Sequence, residues 1–86
     1  MGNWVWINTT GNNTASDVNN WEGFDGSSGT PSSSDLTSGD LFLKGTKSNT
    51  LCEFNLTSCK SINIDTAYTA TIEIQTNVSL EFASFK

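Results

Sequence analysis

The chain has 86 residues, a formal net charge of −5 and charged side chains at only 15% of positions. Four Lys, no Arg and no His leave no cationic cluster to displace counterions from phosphates, which excludes a nucleic-acid groove, and no apolar run reaches the roughly 20 residues of a membrane-spanning helix. Twelve Ser, twelve Thr and ten Asn supply the solubility, while three Trp and five Phe are too many for a disordered linker, so residues 1–86 are expected to fold as a single domain with a modest core.

Along the chain, Met1-Gly2-Asn3-Trp4-Val5-Trp6-Ile7 lacks the basic segment and apolar stretch of a secretory leader, which predicts cytoplasmic synthesis if Met1 is the initiator. Between Ala15 and Trp21, Ser16 or Asp17 can cap one helical turn that sets Val18 and Trp21 on one face. Gly26 to Asp35 is rich in Gly, Ser, Pro and Asp and predicts an exposed loop. Residues 1–40, which hold all three Trp, the only Pro and six of the seven Gly, are therefore expected to form an N-terminal cap and surface loop.

From residue 41 the texture changes. Leu41-Phe42-Leu43, Cys52-x-Phe54-x-Leu56, Ile62-x-Ile64, Ile72-x-Ile74 and Val78-x-Leu80-x-Phe82 each present an apolar face at period two, separated by polar and small residues. Phe42, Asn63 and Leu80 form one spaced series and Phe54 with Glu73 another, a pattern of roughly 17–21 residues that predicts an all-β, short β-solenoid of two to three coils over residues 41–86. A β-sandwich or jelly roll fits the same alternation, but tight Asn-Gly or Asp-Gly turns are missing between the strands. Glu53, Glu73 and Glu81 lie between inward apolar neighbours and are expected to face solvent.

The chemistry available is sparse. Without His, a nucleophile would need Lys or a carboxylate as its base, and no Lys stands at a telling spacing from any Ser, so no catalytic residue and no enzyme activity are expected. Cys52 and Cys59 read as small core residues, with a short-loop disulfide as the alternative. Asp17, Asn20, Glu22 and Asp25 could offer oxygens to calcium, but no twelve-residue EF-hand loop is present and turn and capping roles account for them; no metal and no cofactor are expected.

Trp4-x-Trp6, then Asn20-Trp21 with Gly23, then Pro31-x-x-x-Asp35 leading into Leu41-Phe42-Leu43, resembles the opening of right-handed β-solenoid modules of bacteriophage virion proteins and bacterial surface proteins. The resemblance implies that the solenoid is right-handed, a Trp-rich N-terminal cap followed by two to three coils. Large Trp side chains suit the closing of an open apolar end, and no polar capping segment follows the last apolar strand, which predicts a partner there. That partner is expected to be further copies of the chain, as a trimer, or a larger structural protein such as a capsid or tail protein, with Trp4, Trp6, Phe82 and Phe85 as contacts. The implied function is a non-enzymatic virion protein, a capsid decoration, cement or fibre component. The alternative is a carbohydrate-binding or adhesive module at the bacterial cell surface, in which Trp21 or Phe24 stacks on sugar and Asn20 or Asp25 bonds its hydroxyls.

Overall fold

Trp4 and Trp6 alternate with Val5, and that alternation builds the first strand of the computed structural model, which describes residues 2–24, 29–75, 78–79 and 81–85, the last five as backbone alone. In chain order the elements are β1 (Asn3–Trp6), a 3₁₀ turn (Val18–Asn20), β2 (Trp21–Gly23), α1 (Ser33–Ser38), β3 (Asp40–Leu43), β4 (Cys52–Phe54), β5 (Ser58–Ile64), β6 (Ile72–Ile74) and β7 (Glu81–Phe85). The 3₁₀ turn falls within the expected helical stretch, and Asp17 caps it by accepting from the Asn19 amide.

Five strands form one mixed sheet in the order β2-β1-β3-β5-β7, in which β2 is antiparallel to β1 and the other neighbours are parallel. A second sheet pairs β4 with β6, also in parallel. Phe42 stands opposite Asn63, as the spacing predicts, whereas Phe54 faces Ile74 and not Glu73. The strand expected over Val78 to Phe82 begins instead at Glu81, so Cys59 meets Phe82 and Ile62 meets Phe85.

The expected all-β solenoid, with the sandwich or jelly roll as its alternative, is corrected by this arrangement: the molecule is a small mixed α/β domain. Residues 1–40 are the cause. They do not sit as a cap on an end; β1 enters the main sheet beside β3, with Trp4 opposite Leu41, and β2 turns back against β1. The segment expected as an exposed loop ends in a helix because Ser32 and Asp35 form a capping box, the Ser32 hydroxyl accepting from the Asp35 amide and the Asp35 carboxylate from the Ser32 amide. That helix delivers Leu36, wholly buried, into the core.

The core is one cluster that runs from Trp4 to Tyr68 and lies between the two sheets and α1. Trp6, Trp21, Phe54, Leu41, Leu43 and Ile62 are essentially inaccessible, each contributing about 1.5–3 kcal/mol or more by removal from water. Val5 is buried on the opposite face of the main sheet, beside Phe42. Cys52 and Cys59 are both buried free thiols.

Candidate functional site

The two ends of the β4/β6 sheet are built differently, and the difference follows from the sequence on each side. At one end residues 13–15 lie along β4: the Ala15 amide donates to the Glu53 carbonyl at 3.0 Å and the Glu53 amide to the Asn13 carbonyl at 2.7 Å. Behind that segment the Trp6 and Trp21 rings meet edge to face at 5.1 Å, with Trp21 Nε1 donating to the Ala15 carbonyl and Trp6 Nε1 to Thr50 Oγ1.

Asn20 locks this closed end. Its Oδ1 accepts from the Thr10 amide and hydroxyl, and its Nδ2 donates to Asn12 Oδ1 and to the Thr14 carbonyl, at 2.7 to 3.2 Å. The loop from Asn8 to Thr14 is thereby wrapped around one fully buried amide.

At the other end stands β6. Among the described residues no strand pairs with its outer edge. Cys52 and Phe54, one strand inward, are wholly buried, whereas Ile72 is half-buried, Glu73 is exposed and Ile74 is 50% exposed. Ile74 is the exposed large hydrophobic side chain among the described residues. Two side chains hold the corners that lead into this end. Asn49 Oδ1 accepts from the Thr69 and Ala70 amides, and Asp65 Oδ1 accepts from those of Gly45 and Tyr68.

Two surface hollows complete the description. A polar cleft of about 630 Å³ lies among Thr9, Asn19, Glu22 and Thr30, with Glu22 bridged to Lys47 at 3.2 Å. A smaller hollow of about 230 Å³ lies beside Phe42, Lys44 and Asp65. There Phe24 packs on Phe42 at 4.8 Å, and the Lys44 ammonium sits 5.0 Å from the centre of the Phe24 ring.

The residues expected as contacts fare differently. Trp4 and Trp6, expected against a partner, are 5% and 0% exposed, because alternation along β1 turns both rings into the core. Phe82 and Phe85 lie on β7 opposite Cys59 and Ile62, and their side chains fall outside the described residues. Of the four sugar-contact residues, Asn20 is fully buried with both ends of its amide engaged, and Trp21 is 1% exposed, so neither offers a free face. Phe24 is half-buried under Lys44, and Asp25 falls outside the described residues. The burial of Trp4, Trp6 and Trp21 makes them core residues of the sheet, neither partner contacts nor the closure of an open end. Sequence reasoning did not single out Ile72-x-Ile74 as a contact, because alternation shows which face is apolar and not whether a neighbouring strand covers it.

Burial pushes the Cys52 thiol up to about 12 and the Cys59 thiol up to about 11, with Glu53 and Asp40 respectively adding to the effect, so both stay protonated at neutral pH. The Ser61 hydroxyl, itself buried, donates to Asp40 Oδ1 and accepts from Asn63 Nδ2, which ties it into a polar row along the main sheet. Asp17 is held below the usual carboxylate range by hydrogen bonds from Asn12 and Asn19. Among the described residues no three His, Cys, Asp or Glu side chains gather as a metal site, and no helix is long and apolar enough to cross a membrane.

Comparison with known proteins returns no match among family models, curated proteins or solved structures.

Proposed function

We propose that this protein is a non-enzymatic structural component that attaches to a larger protein assembly. The observation that supports it is the contrast between the end closed by residues 13–15 and the end where β6 leaves Ile74 half exposed. Backbone groups and apolar side chains left on a strand edge are a template for another chain, and soluble monomers ordinarily cover or blunt such edges. Of the two partners expected from the sequence, a trimer of copies and a larger structural protein, the second is the one adopted, since Glu73 on the open edge opposes self-pairing. The assignment to a virion, as a bacteriophage decoration, cement or fibre protein, rests on the resemblance of Trp4-x-Trp6, Asn20-Trp21 and Pro31-x-x-x-Asp35, although the fold that resemblance implied is corrected above. Attachment of many copies would turn a weak contact per copy into firm binding.

Sedimentation of the chain and of its Glu73→Gln variant, with Trp fluorescence read in the presence and absence of soluble polysaccharides, tests the reading. Neutralising Glu73 is expected to promote association, and glycans are expected to leave the fluorescence unchanged. A glycan-dependent change in a chain that stays monomeric in both forms would contradict it and favour the cell-surface sugar-binding alternative.

A further inference from the structure

The outer edge of β6 carries three kinds of information about what would cover it. The first is directional. The Thr71 carbonyl accepts from Cys52 and the Gln75 amide donates to the Phe54 carbonyl, so these groups of β6 face β4. Backbone groups alternate sides along a parallel strand, which turns the N–H and C=O of Ile72 and Ile74 outward. The second is apolar. Ile72 and Ile74 continue the row begun by the buried Cys52 and Phe54, so a further strand with apolar residues at alternate positions would extend an existing core row.

The third is charge. Glu73 is exposed and stands directly opposite Glu53, and Gln75 Nε2 donates to Glu73 Oε1 at 3.1 Å, so no cation among the described residues balances it. A second copy docking edge to edge would pair β6 with β6 antiparallel. The register that overlaps all three residues then sets Glu73 opposite its own counterpart, an unfavourable pair.

We propose that the outer edge of β6 receives an extended segment of a different protein, with apolar residues over Ile72 and Ile74 and a Lys or Arg over Glu73. The inference rests on the docking reading above and adds its surface and the chemistry of its partner. Main-chain hydrogen bonds to Ile72 and Ile74 supply attachment, and the basic residue selects against acidic strands and against the chain itself.

The test uses two end-blocked peptides, Thr-Ile-Lys-Ile-Thr and Thr-Ile-Glu-Ile-Thr, titrated into the labelled chain and followed by NMR shifts and amide hydrogen exchange. The Lys peptide is expected to bind about fivefold more tightly than the Glu peptide, with slowed exchange at the Ile72 and Ile74 amides. Glu73→Lys is expected to reverse that order. Equal binding of the two peptides, or protection confined to another surface, overturns the proposal. Absence of binding by either peptide, while Glu73→Gln still associates with itself, overturns the basic strand but leaves the docking reading standing; absence of binding together with a monomeric Glu73→Gln overturns both.

Discussion

Glu53 and Glu73 stand directly opposite each other on the parallel pair β4 and β6, two carboxylates on one face of a two-stranded sheet. Facing like charges cost roughly 0.2–1 kcal/mol in such a position. The arrangement keeps the outer edge of β6 negatively charged while its alternate residues stay apolar, and it ties the stability of this sheet to the selectivity of its edge.

Replacing Glu53 with Gln relieves the opposition without touching the outer edge. The variant is expected to gain about 0.5 kcal/mol, read as a higher urea midpoint at unchanged slope, and an unchanged midpoint would show that the two carboxylates do not oppose each other.

Asn20 offers the converse case. Its buried amide makes four hydrogen bonds to residues 10–14, and Asn20→Ala removes all of them while leaving the Thr14 carbonyl without that donor. A loss of roughly 2 kcal/mol is expected, since each such hydrogen bond contributes about 0.5–1.5 kcal/mol and the exposed Thr10 and Asn12 recover part of it from water, while the Thr14 carbonyl keeps the Asp17 amide as donor. Denaturation followed by Trp fluorescence measures it, because Trp6 and Trp21 pack behind the same loop.

Gly45 lies against the backbone of Ala67 and Tyr68, so closely that a Cβ would overlap the Ala67 carbonyl. Main-chain atoms held by the Asp65 carboxylate cannot step aside, and Gly45→Ala is expected to cost about 2–3 kcal/mol by overpacking. A neutral result in the same denaturation assay would show that this corner yields freely.

The two thiols give a pH dependence. Their folded values, about 12 for Cys52 and about 11 for Cys59, stand above the ordinary 9.0, so unfolded chains release these protons first as pH rises. Stability from these groups is complete below pH 9 and declines between about 9 and 12, with the Cys59 contribution ending near 11. The urea midpoint is expected to fall across that interval in the wild type and to fall less steeply in Cys52→Ala. Native protein is also expected to resist thiol reagents at pH 8 and to react at both positions in urea; rapid labelling of the folded chain would contradict this burial.

Several strand positions in the second half could be read from period two alone, since Leu41 and Leu43, Cys52 and Phe54, and Ile72 and Ile74 lie on strands with the expected parity, whereas the strand expected over Val78 to Phe82 begins at Glu81. Pairing could not, because alternation fixes the face of a residue and not its neighbour, and so Phe54 meets Ile74 rather than Glu73. The helix was legible as Ser32-x-x-Asp35, but Gly, Pro and Ser nearby argue equally for a loop, and only the burial of Leu36 decides between them. Trp4, Trp6 and Trp21 are ambiguous for the same reason: a large aromatic ring suits a core or a contact, and neighbouring strands determine which. The open edge of β6 required the topology, since an uncovered strand is a property of the sheet.

A charge swap tests the central claim most directly. Wild-type chain, Glu73→Lys chain and an equal mixture of the two are compared by sedimentation equilibrium up to millimolar concentration, where pairing of β6 with β6 sets Glu73 opposite Lys only in the mixture. The account predicts dimers in the mixture that are absent from either chain alone; equal masses in all three samples would contradict a docking edge governed by Glu73.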